Sequence, residues 1–574
     1  MKITKIFITW INLISLVFLG TTNLFAQSDP ELRLILNDMN PQTGATFGGS
    51  LCDIGDVNGD GIADIAVGAN GQDFNGYADT GQTTIFSGSD GSPIYIIDHP
   101  NPQANAFFGF AIAALGDVDG DFVPDMAISA YGQDVGGRVD QGEVYIFSGV
   151  DGSLIYTLAH PFAQSNAFFG HSGLVGLGDI NGDDMPDLVV AASIQDVDGI
   201  RDVGQAYAFS GADWSLIYIA DNPSPQAFSQ YGLDIGLLGD VDGDGFRDFA
   251  VGAQFQDVNE YTDQGRGYVF SGATGSLLYI LEDPHPQYDA RFGDRIVCLG
   301  DINQDGLPDI LVGTGFQNVD GNVHEGQGFV FSGADGAYLY SVNNPVPQAH
   351  ALFGRSITGL GDLSGDGIPD FAIGAFYQDV DGNTDQGELF VFSGRNGQHL
   401  LTLSHPFPQA GAEYSTELTE LGGLGLGTKI AVAARKQNVG GNNDQGQVYV
   451  YTISIPANFV LFPPVINLNS RRKYLLGRIG LPPTYQPIEI IDESISLSIP
   501  DCVDCNNIDL EFGLPFLRQY FTFFSRENLI NVIETLDPDL PTLLDIQVNG
   551  ELMSGTLFEG VDTISVFRTR RPTH

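Results

Sequence analysis

The sequence repeats with a period of 61 residues, and this period constrains the fold more than any other feature of the chain. The dipeptide Phe47-Gly48 returns at steps of 61 or 62 residues and ends as Tyr414-Ser415, which gives seven copies in one register. The intervening copies are Phe108-Gly109, Phe169-Gly170, Tyr231-Gly232, Phe292-Gly293 and Phe353-Gly354. A fixed period of this kind is typical of arrays in which each unit buries its apolar surface against its neighbours.

Each repeat carries the signals of four β-strands. Short apolar runs such as DIAVGA are followed by a polar loop, and segments such as YIFSGVDGSLIYTL alternate around a glycine-rich turn, as hairpins do. Seven four-stranded units predict a seven-bladed β-propeller rather than a solenoid, because a ring leaves few sheet edges exposed. The seventh unit lacks its fourth strand, while ELRLIL at Glu31–Leu36 precedes the first repeat. We therefore expect this N-terminal strand to complete the last blade and close a propeller over residues 27–455.

Six of the repeats carry an acidic loop, of which GDVNGDGIAD at residues 55–64 is the first. Oxygen-bearing side chains stand at loop positions 1, 3, 5 and 9, and position 7 offers a backbone carbonyl. This ligand set suits Ca²⁺ better than Mg²⁺, which demands a stricter octahedral geometry. An Asx turn alone does not require so many carboxylates, since unneutralised like charges repel. The sequence therefore predicts six Ca²⁺ sites, one in each of repeats 1–6.

The predicted ligands follow the same five positions in every repeat. In order of repeat they are Asp56, Asn58, Asp60, Ile62 and Asp64; Asp117, Asp119, Asp121, Val123 and Asp125; Asp179, Asn181, Asp183, Met185 and Asp187; Asp240, Asp242, Asp244, Phe246 and Asp248; Asp301, Asn303, Asp305, Leu307 and Asp309; and Asp362, Ser364, Asp366, Ile368 and Asp370. Ser364 at position 3 and Phe122, which replaces a loop glycine, depart from the pattern. The seventh loop, GGLGLGTK, has no acid and places Lys429 at position 9, so no site is expected there.

The combination of the FG dipeptide, the acidic loop and the following apolar strand resembles the FG-GAP repeat of integrin α-subunit propellers and of many secreted bacterial proteins. The resemblance implies that each metal loop joins the first two strands of a blade on the lower face. It also implies that ligands bind on the opposite, upper face, at the loops between blades and between the second and third strands. The expected function is that of a secreted, calcium-binding module for extracellular binding or adhesion.

Ligand binding is expected where the repeats diverge. The loops that lead into repeats 5 and 6 add Tyr288, Arg291, Arg295, His350 and Arg355, a candidate pocket for a carboxylate or sulfated ligand. The alternative is that each arginine forms an ion pair with a nearby loop aspartate. Residues that recur in the same place look structural instead, as the His-Pro histidines at 99, 160 and 405 do, because Asn or Asp replaces them in other repeats.

The net charge and the N-terminal segment limit the classes of partner and the cellular compartment that we expect for this chain. A net charge of −49 argues against nucleic acid, which requires clustered Lys and Arg. Residues 1–26 read as a signal peptide, with Lys2 and Lys5 before the apolar stretch Ile6–Gly20. We expect the protein to be extracellular or attached to the cell surface, with the periplasm as an alternative. We expect it to bind an extracellular protein or glycan, and we expect that the mature chain does not insert into a membrane.

No catalytic motif is recognisable, so the chain is not expected to be an enzyme. Two alternatives stay open: a carbohydrate-active enzyme, either a polysaccharide lyase or a hydrolase, on a propeller scaffold, and a structural surface or matrix component. Beyond the repeats, residues 456–574 predict a small β-sandwich-like module with one short helix after Ser525. Cys502 and Cys505 are a candidate disulfide pair, whereas Cys52 and Cys298 are expected to be buried apolar fillers.

Overall fold

The computed structural model describes residues 30–422 and 429–453 in full, and beyond them the backbone of nine strands between residues 455 and 567. The chain divides into two compact units, with the boundary between Ile455 and Pro456. Every regular element in the described part of the chain is a strand, and this part contains no helix long and apolar enough to cross a membrane. The predicted signal peptide, helix and Cys502–Cys505 pair lie outside the described residues.

The first unit consists of seven four-stranded antiparallel sheets, which confirms the predicted seven-bladed propeller. Blades 1 to 4 contain Phe47–Gly55, Asp64–Ala69, Gln82–Phe86 and Pro93–Asp98; Ile112–Gly116, Asp125–Ala130, Glu143–Phe147 and Leu154–Ala159; Phe169–Gly178, Asp187–Ala192, Gln205–Phe209 and Leu216–Asp221; and Ile235–Gly239, Asp248–Ala253, Arg266–Phe270 and Leu277–Leu281. Blades 5 to 7 contain Arg295–Gly300, Asp309–Thr314, Gln327–Phe331 and Tyr338–Asn343; Ser356–Gly359, Phe371–Ala375, Glu388–Phe392 and His399–Ser404; and Tyr414–Leu421, Lys429–Ala434, Gln447–Thr452 and Glu31–Leu36.

The second strand of each blade lies inside its sheet, and neighbouring blades cover both of its faces. All six residues of Asp64–Ala69 are buried, and the same holds for its counterparts in blades 2 to 5. Burial on both faces explains why these strands are continuous apolar runs without alternation. The fourth strand, at the rim of the ring, is partly exposed, as in Pro93–Asp98.

The FG dipeptide sets the spacing between blades. Phe108 is fully buried in a cluster shared by blades 1 and 2, where it packs against Tyr145 and Phe147. Gly109 has a φ of +82°, and a Cβ atom there would lie 2.7 Å from Thr83 Oγ1 of the preceding blade. Glycine is therefore required both by the backbone conformation and by the close approach of the two blades.

The N-terminal strand closes the ring, as predicted. Glu31–Leu36 pairs antiparallel with Gln447–Thr452 and becomes the fourth strand of blade 7. Leu36 lies in one apolar cluster with Phe47 of blade 1 and Val448 of blade 7. The two ends of the repeat array are thus joined by backbone hydrogen bonds and by a common core.

Beyond the propeller, the described residues form one hydrogen-bonded sheet of nine strands, the first of which begins at Ile455, the last residue of the first unit. Its strands are Ile455–Pro456, Asn458–Phe462, Val465–Asn467, Tyr474–Gly480, Ser496–Ser498, Ile508–Phe516, Gln519–Ser525, Thr542–Glu551 and Leu557–Phe567. Asn458–Phe462, at one end of the sheet, also contacts Leu557–Phe567 near the other end, so the sheet curves back on itself. All of these elements are strands, and their arrangement as a sandwich stays a prediction.

Tyrosines of the fourth strands join neighbouring blades through a hydrogen bond. Tyr218 Oη donates to the carbonyl oxygen of Gly272 at 2.6 Å, 54 residues later in the next blade. The same bond joins Tyr95 to Gly149, Tyr279 to Gly333 and Tyr340 to Gly394. Tyr156 occupies this place in blade 2, and its ring instead stacks on Trp214, with 5.5 Å between centroids.

We expect Tyr218→Phe to lower the free energy of unfolding by about 1 kcal/mol, because the buried Gly272 carbonyl loses its donor. The measurement is the midpoint of urea unfolding at constant Ca²⁺. Tyr156→Phe is the matched control, since the structure records no hydrogen bond for that hydroxyl within the described residues. Equal losses in the two variants would contradict the assignment.

Candidate functional site

Strand direction sorts the loops of the propeller onto two faces. The acidic loop and the turn between the third and fourth strands share the lower face, where Ser89 Oγ of the turn donates to Asp60 at 2.8 Å. The loops between the second and third strands and between blades share the upper face, where the Phe107 amide of one loop donates to the Asp79 carbonyl of the other at 3.1 Å. This is the arrangement that the family resemblance implies.

Each acidic loop of blades 1–6 folds around two aspartates. In blade 2, Asp117 at position 1 accepts hydrogen bonds from the Gly120 and Phe122 amides at 2.6 and 2.8 Å. Asp125 at position 9 is fully buried and accepts from the amides of Val118, at 2.8 Å, and Gly149, at 3.0 Å. The pattern at position 9 recurs in the other five blades. These bonds hold the loop closed, and the amide of position 7 donates in addition to the carboxylate of position 5, as Val123 does to Asp121 at 2.9 Å.

Positions 1, 3 and 9 come together in blades 2 and 4, and position 3 lies beside position 9 in blades 1, 3 and 5. In blades 2 and 4, where position 3 is Asp119 or Asp242, one carboxylate oxygen from each of the three aspartates lies within 4.8 Å of the others. In blades 1, 3 and 5, position 3 is asparagine, and its amide nitrogen lies between 3.1 and 3.4 Å from the position-9 carboxylate. The three carboxylates of blade 2 and those of blade 4 could hold a divalent cation.

The electrostatics of the loops fit such a cation. Burial, together with the neighbouring loop carboxylates, raises the pKa of Asp125 and Asp248 to about 6, although the backbone hydrogen bonds to these groups act in the opposite direction. Keeping these groups ionised near neutral pH therefore costs free energy, which a bound cation would offset. The donors are oxygen atoms only, as hard cations prefer.

Two departures from the loop pattern have different consequences. Phe122 adopts a φ of +71°, as the corresponding glycines do, and its side chain is 93% exposed. Its amide still donates to position 1, so the loop of blade 2 is preserved. In blade 6, Ser364 places a hydroxyl 3.4 Å from Asp362, and Arg395 forms an ion pair with Asp366. The loop of blade 7 lies in residues 423–428, outside the described part of the chain.

The recurring residues of the upper face are structural, as predicted. His99 Nδ1 accepts a hydrogen bond from the Asn101 amide at 3.0 Å, and Oδ1 of Asn222 accepts one from the Ser224 amide at 2.8 Å. His160, His405, Asp283 and Asn344 accept in the same way. Histidine, asparagine and aspartate are interchangeable here because each accepts one backbone bond that turns the chain after the fourth strand.

The structure brings three of the five candidate ligand residues, Arg291, His350 and Arg355, to the segment that contains Phe316 and His324, whereas Tyr288 packs on a different loop. The Arg291 guanidinium lies 3.8 Å above the ring of Phe316 and forms an ion pair with Asp289 at 2.8 Å. Arg355 lies 5.8 Å from the same ring. His350 packs against His324, with 5.5 Å between ring centroids, and Tyr288 packs against Tyr261 at 5.2 Å.

Arg295 connects blades of the ring to one another. Its guanidinium binds Asp234 of blade 4 at 3.1 Å and Glu417 of blade 7 at 2.9 Å, so it reaches across the centre of the propeller. Asp234 is buried and also accepts the Ile296 amide at 2.9 Å. Arg355 pairs with Asp294 at 3.6 Å. All three candidate arginines therefore have carboxylate partners, the alternative raised by the sequence.

An aromatic cleft on the upper face was not found from the sequence. It has a volume of about 530 Å³ and lies between the loops of blades 2 and 3. Tyr131 stacks on Phe107 with 5.2 Å between centroids, and Phe168 and His171 also line the cleft. Asp134 and Asp140 supply carboxylates at its edge. The sequence does mark this position by divergence between the repeats, because Asn70 replaces Tyr131 in blade 1 and Ser193 replaces it in blade 3.

Comparison with known proteins gives one family and several relatives. The FG-GAP repeat family matches residues 48–86, 108–147, 234–270 and 295–331. The chain is similar to integrin alpha-2 of Bos taurus, with 34% identity over 139 residues, covering 23% of this chain and 12% of the relative. It is also similar to integrin alpha-4 of Xenopus laevis, with 26% identity over 248 residues, which cover 42% of this chain and 23% of the relative. The similarity to integrin alpha-V of Gallus gallus is 31% identity over 219 residues, which cover 36% of this chain and 20% of the relative. The matches thus span less than a quarter of each of these relatives.

We expect acid to destabilise the propeller partly through its buried histidines. Burial lowers the pKa of His99 to about 4, from an ordinary value of 6.5. In the unfolded chain this group takes up a proton below about pH 6.5, so the stability that neutral His99 contributes is present above that pH and is lost as the pH falls through about 4. The full effect is of the order of 3 kcal/mol, at 1.36 kcal/mol for each pKa unit.

The variant His99→Asn keeps the acceptor and removes the titration. Unfolding midpoints measured between about pH 7.5 and 4.5 should therefore fall less steeply for this variant than for the wild type. His285→Asn is the control, because the His285 side chain is exposed. Parallel pH profiles for wild type and His99→Asn would contradict the prediction.

Proposed function

Because the chain carries an integrin-α-like FG-GAP β-propeller, we propose that it is a secreted, calcium-binding module for extracellular binding or adhesion. The observation that carries the proposal is the division of the ring into two faces. One face holds the acidic loops, and the other presents the loops that vary between blades. We propose an extracellular protein or glycan as the partner, and a binding role rather than an enzymatic one.

Calcium is proposed for the acidic loops of the lower face. In blade 4 the carboxylates of Asp240, Asp242, Asp244 and Asp248, with the Phe246 carbonyl, would hold the ion. The ion would neutralise the clustered carboxylates and fix the loop, a structural role. Aspartates and backbone amides already hold the loop closed, so the chain orders much of the site before an ion binds.

The upper face suits a ligand because it is preorganised. The loops of successive blades are bonded to each other through their backbones, as the Asn105 and Phe108 amides are to the carbonyls of Ala78 and Thr80, both at 2.9 Å. A surface fixed in this way loses little conformational entropy on binding. The cleft around Tyr131 and the patch around Arg291 are the two places on this surface where aromatic and charged groups converge.

We expect removal of Ca²⁺ to lower the melting temperature. A site held at ten times its Kd contributes about 1.4 kcal/mol, and extracellular modules bind Ca²⁺ at about 10⁻⁴ to 10⁻³ M. The measurement is thermal unfolding in about 5 mM Ca²⁺ and in chelator. Asp242→Asn should lose part of the Ca²⁺-dependent increase, whereas Asp198→Asn, with the same charge change outside the acidic loops, should retain it. Identical melting curves in Ca²⁺ and chelator would refute the calcium proposal.

The binding role is tested with immobilised glycans and extracellular-matrix proteins, in millimolar Ca²⁺ and in chelator. We expect Ca²⁺-dependent retention on one ligand class, reduced roughly tenfold, or about 1.4 kcal/mol, by Tyr131→Ala or by Arg291→Ala. Phe122→Ala, on the lower face, is the control and should bind as the wild type does. Retention that neither upper-face variant changes would exclude both places, and shortened glycan chains would indicate an enzyme.

A further inference from the structure

Blade 6 differs from the other five metal-loop blades in the turn that faces its acidic loop. Arg395 occupies the second position after the serine that begins this turn. The corresponding residues in blades 1 to 5 are Ser89, Val150, Ala212, Ala273 and Ala334. Only blade 6 therefore places a cationic side chain at this position.

Arg395 binds the loop by two hydrogen bonds. Its Nε donates to Asp366 Oδ2 at 2.6 Å, and its Nη2 donates to the Asp366 carbonyl oxygen at 2.9 Å. Asp366 stands at position 5, one of the proposed ligands. In blade 1 the same carboxylate oxygen, Asp60 Oδ2, accepts from the neutral hydroxyls of Ser87 and Ser89. In blade 6 a guanidinium supplies this bond together with a full positive charge.

The ligand set of blade 6 is also the poorest of the six. Ser364 replaces the Asp or Asn at position 3, so that position loses its carboxylate or amide oxygen. Its hydroxyl lies 3.4 Å from Asp362, at the limit of a hydrogen bond. Ca²⁺ affinity depends on the number and charge of the oxygen ligands. At positions 1, 3, 5 and 9, blades 2 and 4 each offer four carboxylates, and blades 1, 3 and 5 each offer three carboxylates and an amide oxygen. Blade 6 offers three carboxylates and a hydroxyl, and Arg395 neutralises one of these carboxylates.

We propose that Arg395 takes the charge-balancing place of Ca²⁺ in blade 6, so that this loop binds Ca²⁺ far more weakly than the loops of blades 1 to 5. The inference rests on the calcium binding proposed above, and it replaces six equal sites by five sites and an arginine-compensated loop. Blade 6 keeps its loop closed without the ion, because Asp362 and Asp370 still accept the backbone bonds seen in the other blades.

The test counts Ca²⁺ ions per chain by equilibrium dialysis and elemental analysis, over free Ca²⁺ from about 0.05 to 5 mM. We expect Arg395→Gln to bind one more ion than the wild type within this range, because the affinity of the sixth loop rises by roughly tenfold or more. The double variant Ser364→Asp with Arg395→Gln should fill that site at lower Ca²⁺ still. The midpoint of thermal unfolding in chelator shows whether each variant is folded.

Arg247→Gln is the matched control. Arg247 stands at position 8 of the blade 4 loop, and the structure records no ion pair for it among the described residues. Its replacement makes the same charge change beside an acidic loop, and we expect no additional ion. A wild-type chain that binds six ions of similar affinity, an Arg395→Gln chain that gains none, or an equal gain in Arg247→Gln would overturn the inference. No bound Ca²⁺ in any variant would overturn the calcium proposal as well, and the two failures are thereby distinguished.

Discussion

A buried aspartate at the start of the second strand connects the parts of each blade on which the rest of the ring depends. In blade 4, Asp248 accepts the Val241 amide of the acidic loop and the Gly272 amide of the hairpin turn. The carbonyl of the same glycine accepts the hydroxyl of Tyr218 from blade 3. One carboxylate thus joins the loop to the hairpin, and through Gly272 it is linked to the neighbouring blade. A buried carboxylate is stable only with such partners, so loop geometry and blade packing constrain each other.

The same linkage explains why the acidic loops keep one shape although their ligands vary. Asp, Asn and Ser alternate at position 3, and Phe122 stands where most of the other loops have glycine, yet the backbone bonds to positions 1 and 9 persist. The backbone network therefore determines the shape of the loop, and the side chain at position 3 varies without changing that shape. Under the calcium proposal, this variation would change the affinity of each loop for the ion without changing the fold.

Positive charge is scarce in this chain, and the described part of the propeller uses most of it internally. Arg295 joins blades 4, 5 and 7 across the centre of the ring, Arg355 pairs with Asp294, and Arg395 pairs with Asp366. Arg291 pairs with Asp289 and also lies over an aromatic ring. The upper face consequently offers aromatic surfaces and carboxylates more readily than free cations, which limits the ligands that it can attract by charge alone.

The sequence by itself determined the blades, their number and the acidic loops, because each of these follows from a local pattern that is repeated at a fixed period. The closing role of Glu31–Leu36 followed from the missing fourth strand of the last repeat. Local pattern could not show that Arg295 reaches Asp234 and Glu417, which lie 61 and 122 residues away. Nor could it show that Phe107, Tyr131 and Phe168 line one cleft, or that Arg395 lies on Asp366. Those contacts join different strands and blades, and only the curvature of the closed ring decides which side chains meet.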